Sequence, residues 1–312
     1  MPNTRTVPLL LVATLGIASA GRAQPAAEPD LATAGADAVA TDQSESVSAA
    51  IHEPKRWTLR FEPSVWFVAP AGDVKMPGSS DALTQSIGPG EREFTKLTEL
   101  EIDRPEASPM GEINLGHGNW RFCLRGFSSS SDAEATTLGP GSLNSLSFVE
   151  GDIIESSLDF LAAELEVAYS LHRNTPRLND SGREVFRSNL EGLAGARIYD
   201  VDWEIANSSS GAPALEADET FLEPLIGGRF EMEFYERLDL DLQLTVGGLP
   251  LGDDSSFSVD VIAGFMWRPF EHFGIQIGYR QLLFDLQSGE DEQEFEYDGT
   301  LAGLFGGLVF DF

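Results

Sequence analysis

The sequence predicts an all-β fold: a closed, antiparallel, up-and-down transmembrane β-barrel of about ten strands. Three observations carry this. Apolar and polar residues alternate with period two through most of the chain after Trp57. Connections between the alternating runs are short and long by turns. The chain ends on Phe312, with apolar residues at alternate positions before it.

The N-terminal segment is set apart from the rest. Residues 1–23 read as a secretory signal: Arg5, an apolar run over Pro8–Ile17, and Ala18-Ser19-Ala20 or Gly21-Arg22-Ala23 as cleavage site. The apolar run is too short for the ~20 residues of a spanning helix. Residues 24–56 are rich in Ala, Asp, Glu, Ser and Thr and read as a disordered acidic lead. Residues 57–312 form the expected barrel.

Within the barrel the clearest run is Leu238–Val246, with Leu238, Leu240, Leu242, Leu244 and Val246 opposite Asp239, Asp241, Gln243 and Thr245. Phe257, Val259, Val261, Ala263, Phe265 and Trp267 oppose Ser256, Ser258, Asp260, Gly264 and Arg268. Ile226, Phe230, Met232 and Phe234 oppose Arg229, Glu231 and Glu233. Trp57, Leu59, Phe61, Val65 and Phe67 oppose Thr58, Arg60, Glu62 and Ser64. Shorter runs follow Trp120, Leu165, Val201 and Ile275, and Met110–Gly116 is the weakest. The pattern slips near Leu161 and near Gln281, where bulges are expected. Eight strands result if Met110–Gly116 is not one, and twelve if Gly72–Ser108 hides a hairpin.

Alternation alone does not say which face is outside. A soluble, lipocalin-like barrel would turn its apolar face inward around an apolar ligand. Three features favour an outward apolar face. Trp57, Trp120, Tyr169, Phe234, Trp267, Phe273 and Phe312 fall beside the short turns, as an aromatic belt at a membrane interface would. Runs of roughly 9–13 residues suit a tilted membrane strand of about 9–11. Leu304, Leu308, Phe310 and Phe312 resemble the C-terminal targeting signal of Gram-negative outer-membrane barrels. That resemblance implies the barrel-assembly machinery as a partner and outer-membrane lipid as the surroundings.

The resemblance extends to other stretches. Phe61-Glu62-Pro63-Ser64-Val65-Trp66-Phe67 resembles the first strand of small, porin-like proteobacterial barrels of unassigned activity. Gly264–Arg268 and Phe273–Arg280 resemble the last hairpins of those proteins and of OmpA/OmpW-type barrels. It implies fold and location and leaves activity open.

The 312 residues carry 51 Asp+Glu against 20 Lys+Arg, a formal net charge of −31, which excludes electrostatic binding of nucleic acid. With the apolar face outward, the expected lumen acids are Glu62, Glu112, Glu164, Glu166, Asp200, Asp202, Glu204, Glu231, Glu233, Asp239, Asp241 and Asp260. The expected lumen bases are Arg60, Arg121, Arg125, Arg229, Arg268 and Arg280. Cross-strand Arg–carboxylate pairing would plug so narrow a barrel, giving a structural or surface-interaction role. The alternative is a narrow cation-preferring channel.

No chemistry beyond this is expected. His52, His117, His172 and His272 lie in the lead or near the short turns, away from the outer rim where a hydrolase would need them. Cys123 is alone and excludes an intramolecular disulfide. The acidic loop residues Asp253-Asp254 and Glu290-Asp291-Glu292 could collect divalent cations but match no calcium-loop pattern. Residues 247–252, Gly-Gly-Leu-Pro-Leu-Gly, read as a turn. No cofactor, no metal centre and a monomeric state are expected.

Overall fold

The computed structural model describes residues 57–77, 95–143, 146–174, 176–251, 254–289 and 294–312. The expected signal segment, the acidic lead, Asp253, Glu290-Asp291-Glu292 and any hairpin within 78–94 lie outside them. Ten long strands follow in order: β1 (Trp57–Lys75), β2 (Glu106–His117), β3 (Trp120–Thr136), β4 (Ile153–Arg173), β5 (Glu184–Asn207), β6 (Leu215–Phe234), β7 (Leu238–Leu251), β8 (Asp254–Phe270), β9 (Phe273–Ser288) and β10 (Phe295–Asp311). Each pairs antiparallel with the next, and β10 pairs with β1 from Lys75↔Glu296 down to Arg60↔Asp311. Phe312 N–H donates to Leu59 O at 2.8 Å, and Leu59 N–H to Phe312 O at 3.1 Å, completing the ring. Closure joins every pair of neighbouring strands over the lower part of the wall, so no sheet edge is open there. Thr95–Lys96 and Arg177–Leu178 are short strands attached to the ring, and Gly141–Leu143 pairs with Leu146–Phe148 in a separate small hairpin.

The strands run from 12 to 24 residues, longer than the sequence pattern suggested. Stretches beyond the alternating runs continue the sheet: Ser128–Thr136 in β3, Leu215–Thr220 in β6 and Gly247–Leu251 in β7, which is strand and not a turn. Met110–Gly116 lies inside β2. The extra length is mostly at the end with the long connections, termed the outer end.

The reason for the missed length is a reversal of polarity halfway along the wall. In β5 the outward residues are Leu190, Ala194, Ala196 and Ile198, then Asp200, Asp202 and Glu204. Its inward residues are Asn189, Glu191 and Arg197, then Tyr199, Val201, Trp203 and Ile205. In β4, Tyr169, Leu165 and Leu161 face out below Asp159 and Glu155, while Glu166 and Glu164 face in below Ala162, Phe160 and Leu158. In β9, Ile275, Ile277 and Tyr279 face out below Gln281, Leu283 and Asp285, and Arg280 faces in below Leu282, Phe284 and Leu286.

The predicted slips at Leu161 and Gln281 are therefore not bulges. Pairing of β3 with β4 runs in step from Trp120↔Tyr169 to Thr136↔Ile153, and β9 pairs in step with β10 along its length. Between the long strands the irregularities lie near the opposite end, between Ser170 and His172 and between Trp267 and Phe270. What changes near Leu161 and Gln281 is the surrounding medium, so apolar residues move from the outer to the inner face without a change of phase.

The result is a wall with two regimes. In the lower regime apolar side chains point outward in a continuous band, among them Phe61, Leu124, Leu165, Leu242, Leu244, Phe265, Ile277 and Leu304. In the upper regime the interior is a packed apolar core containing Trp66, Phe127, Phe160, Tyr199, Trp203, Phe284 and Tyr297. Its rings stack and abut, with Phe160–Phe284 centroids at 5.2 Å and Phe284–Tyr297 at 4.8 Å. Leu97, Leu100 and Ile102, in the first outer connection, are buried in the same core. A soluble barrel would show this second arrangement along its whole length; here only the upper half has it.

On the outside of the upper half, Asp159, Asp202 and Asp218 are cross-strand partners on β4, β5 and β6. Partial burial, then the carboxylates of Asp218, Asp159, Asp200 and Glu216, push the Asp202 carboxyl above its ordinary range. A raised native pKa means that the folded state binds more protons, so this group's contribution to stability declines as pH rises through the carboxylate range. We expect Asp202→Asn to raise the temperature at which the barrel loses its folded gel mobility at pH 8 and low salt. The gain should shrink at high salt and vanish at pH 3.

Candidate functional site: the barrel interior

The lower interior is a lattice of arginines and carboxylates. At the inner mouth, Arg60 Nε donates to Asp311 Oδ1 at 2.6 Å. Arg268 bridges Glu233 and Asp239 at 2.5 and 2.9 Å, and Arg187 also reaches Glu233. One level higher, Arg121 meets Glu231 at 2.7 Å and Glu191 at 3.2 Å. Arg125 Nε donates to Glu112 Oε2 at 2.6 Å, and Arg229 lies between Glu112, Glu231 and Asp241. Amides fill the remaining contacts. Asn114 donates to Glu62 and Glu112, and Gln243 accepts from Arg125 at 3.1 Å and donates to Glu166 at 2.9 Å.

The top of the lattice holds the most buried charges. Arg197, Arg280 and Glu223 have no exposed surface. Arg197 contacts Glu164 at 3.2 Å, Glu223 at 3.3 Å and Asp260 at 3.1 Å, and donates to Ser258 Oγ and Thr245 Oγ1 at 2.8 and 3.1 Å. Arg280 forks onto Asp260 at 2.7 and 3.2 Å and reaches Glu164 at 2.5 Å. Its guanidinium also lies 4.8 Å from the Phe127 ring centroid and 5.5 Å from that of Trp66. A planar, weakly hydrated cation can serve both neighbours at once, which an ammonium does less well. Arg280 thus joins the charged lattice to the apolar core.

Of the residues expected in the lumen, Arg60, Glu62, Glu112, Arg121, Arg125, Glu164, Glu166, Arg229, Glu231, Glu233, Asp239, Asp241, Asp260, Arg268 and Arg280 lie on inward positions. Asp200, Asp202 and Glu204 do not. They point outward, because Val201, Trp203 and Ile205 fill the interior at that height. Sequence reading missed Arg187, Glu191, Arg197, Glu223 and Asp311. Arg197 shares its parity with Asn189 and Glu191, opposite Leu190, Ala194, Ala196 and Ile198, and that alternation was the available signal.

The aromatic residues form rows of cross-strand partners at the inner end. Trp57, His117, Trp120 and Tyr169 are successive partners on β1 to β4, with Trp57 stacked on His117 at 4.4 Å and Trp120 edge-on to Tyr169 at 4.8 Å. Phe234, Leu238, Trp267, Ile275 and Leu308 continue the row over β6 to β10. Phe273 packs on Phe310 at 5.8 Å. Leu304, Leu308 and Phe312 stand exposed on the outer face of the last strand.

The remaining candidates are structural in their contacts. Cys123 is buried on the inward face between Arg121 and Arg125. His272 Nδ1 is 3.0 Å from Asp311 O, and His172 is the last residue but one of β4. Asp254 accepts from Ser288 Oγ at 3.0 Å and Gly289 N–H at 3.3 Å. Among the described residues no group of His, Cys, Asp and Glu is arranged to hold a metal ion.

A closed antiparallel barrel that turns a continuous apolar band outward at one level, with the charges of that level inside, has the fold of a transmembrane β-barrel. Among solved structures, the chain is similar to the outer-membrane protease OmpT of Escherichia coli, with 10% identity, TM-score 0.43, and 82% of this chain and 97% of that one covered. It is also similar to the neisserial surface protein NspA, with 9% identity, TM-score 0.31 and coverages of 82% and 97%. The attachment invasion locus protein Ail of Yersinia pestis follows, with 12% identity, TM-score 0.30 and coverages of 81% and 99%. No protein-family model and no curated protein sequence matches the chain.

Breaking a buried charge cluster by removing one partner costs about 3–5 kcal/mol, whereas a partly exposed pair contributes about 0–1 kcal/mol. Arg197→Leu leaves Glu223 facing only Tyr199 and Ser258, so a loss of the larger size is expected; Arg60→Ala at the mouth should show the smaller. Equilibrium unfolding in urea, read by gel mobility and tryptophan emission, compares the two.

Proposed function

We propose that this chain is a non-conducting, structural outer-membrane barrel that holds a rigid, acid-coated extension above the membrane. The observation carrying this is the continuous filling of the interior. The Arg–carboxylate lattice occupies the membrane level, Arg280 seals it against the rings of Phe127 and Trp66, and Leu97, Leu100 and Ile102 sit in the apolar core above. An ion crossing the upper core would meet mainly apolar side chains, with scattered hydroxyls such as those of Ser129, Ser131 and Ser156, too few to replace its hydration shell. Export by residues 1–23, handling by the assembly machinery through Leu304, Leu308, Phe310 and Phe312, and a monomeric state belong to the same reading.

A surface enzyme is disfavoured by the placement of His117, His172 and His272 at the inner end, remote from the outer rim. The competing role is a narrow cation pathway through the acid-rich lower interior, where Glu191 and Asp241 each keep one carboxylate oxygen without a hydrogen-bond partner among the described residues. Planar-bilayer recording of the purified full-length chain separates the two. Silent membranes at either polarity are expected. Ohmic steps with cation selectivity would establish the pathway instead.

A further inference from the structure

The ladder between neighbouring long strands stops short of the outer end in more than one place: β2 and β3 pair only from Met110↔Phe127 to His117↔Trp120 although β3 runs on to Thr136, and β6 and β7 part as well. β5 and β6 stay paired up to Ile205↔Leu215, and β7 and β8 up to Leu251↔Asp254. Between them, β6 and β7 part above Leu225↔Gly247. Both facing strands carry a proline there, Pro224 and Pro250, and a proline has no donor for a ladder. Gly247 and Gly248 follow on β7 with no side chain to close the gap. The parting leaves a cavity of about 620 Å³ in the outer wall.

This groove lies at the upper edge of the outward apolar band. Ile226, Val246 and Phe257 line it and are themselves part of that band. Pro224, Leu249 and Pro250 complete its apolar walls, and Ser255 and Asp285 stand at its polar end. On β6, outward Leu222 belongs to the band and outward Thr220 and Asp218 lie above it. The groove therefore runs from hydrocarbon at one end to polar groups at the other, the same order of polarity as a membrane lipid.

We infer that the β6–β7 groove is a lipid-binding site that takes one acyl chain of a diacyl lipid, with the lipid's polar end toward Ser255 and Asp285. Three arguments support this occupant. The groove is continuous with the lipid-facing surface, so a neighbouring chain enters without leaving hydrocarbon. A void there would leave the lining side chains without contact partners. Main-chain groups released where the β6–β7 ladder ends need polar partners at membrane depth, and the ester and headgroup region of a lipid supplies them. The inference does not depend on whether the interior conducts.

Gly248 provides the test. A Cβ at Gly248 would meet Ser256 O at 3.3 Å, so that carbonyl must give by a few tenths of an ångström, and Phe257 Cδ2 at an ordinary 3.5 Å; a side chain there would fill the groove. At Gly247 it would strike Glu223 Oε1 at 2.5 Å, so that position is not used. The full-length chain is recovered in mild detergent from phosphatidylethanolamine vesicles, and retained lipid is weighed by native mass spectrometry. The unmodified chain should retain diacyl lipid, Gly248→Phe should lose it, and Ile277→Phe on the open band should keep it. Equal retention by Gly248→Phe, or no lipid on the unmodified chain, overturns the site. If Gly248→Phe does not reach the folded gel form, a tryptophan probe decides. Emission added by Leu249→Trp should be quenched by lipid brominated on its acyl chains; an unquenched signal overturns the site.

Discussion

Halfway up the outer wall the surroundings change from hydrocarbon to water, and the arrangement of side chains follows from that change. The strands cross the level without altering phase, so each carries two opposite codes in one direction. Below the level, apolar residues must face out and charges are confined inside, where desolvation penalises any that lacks a partner. Above it, acids face water and the interior can be an ordinary apolar core. The two interiors are incompatible neighbours unless something with both characters lies between them. Arg280, forked onto Asp260 and set against Phe127 and Trp66, occupies that position, with Arg197 and Tyr199 beside it.

The lattice below is arginine-rich for a geometric reason. A guanidinium presents donors in several directions within one plane, so one arginine can satisfy carboxylates from three strands. Arg197 does so for Glu164 on β4, Glu223 on β6 and Asp260 on β8. Such contacts tie non-adjacent strands across the lumen, whereas the main-chain ladder ties only neighbours. Closure by the ladder and cross-bracing by arginine are thus separate contributions, and the second is concentrated where the wall is in lipid.

Much of this was legible in the sequence. Leu238–Val246 and Phe257–Trp267 present five and six outward apolar residues in alternation, and no other secondary structure arranges them so. The row from Trp57 to Tyr169 could be found because its members stand next to the short turns, where successive strands pair. The upper half was misread for a physical reason. Val201, Trp203 and Ile205 look like any lipid-facing run, and period two identifies a face without saying what lies against it. The acids Asp200, Asp202 and Glu204 were therefore assigned to the lumen. The same ambiguity made a change of medium look like bulges at Leu161 and Gln281. Pairing with Asn189–Arg197 on the same strand fixes the parity, but only once β5 is known to run unbroken through both regimes.

The change of regime within β5 is the claim most open to direct measurement. Single cysteines are placed along β5 in a Cys123→Ser background and challenged on intact cells with a membrane-impermeant maleimide. Asp200→Cys, Asp202→Cys and Glu204→Cys should label, while Ala194→Cys, Ala196→Cys and Ile198→Cys, in lipid, and Val201→Cys and Trp203→Cys, in the core, should stay protected. Labelling at Val201→Cys and Trp203→Cys with protection at Asp200→Cys and Asp202→Cys would mean that the acids face the interior, and would contradict the account.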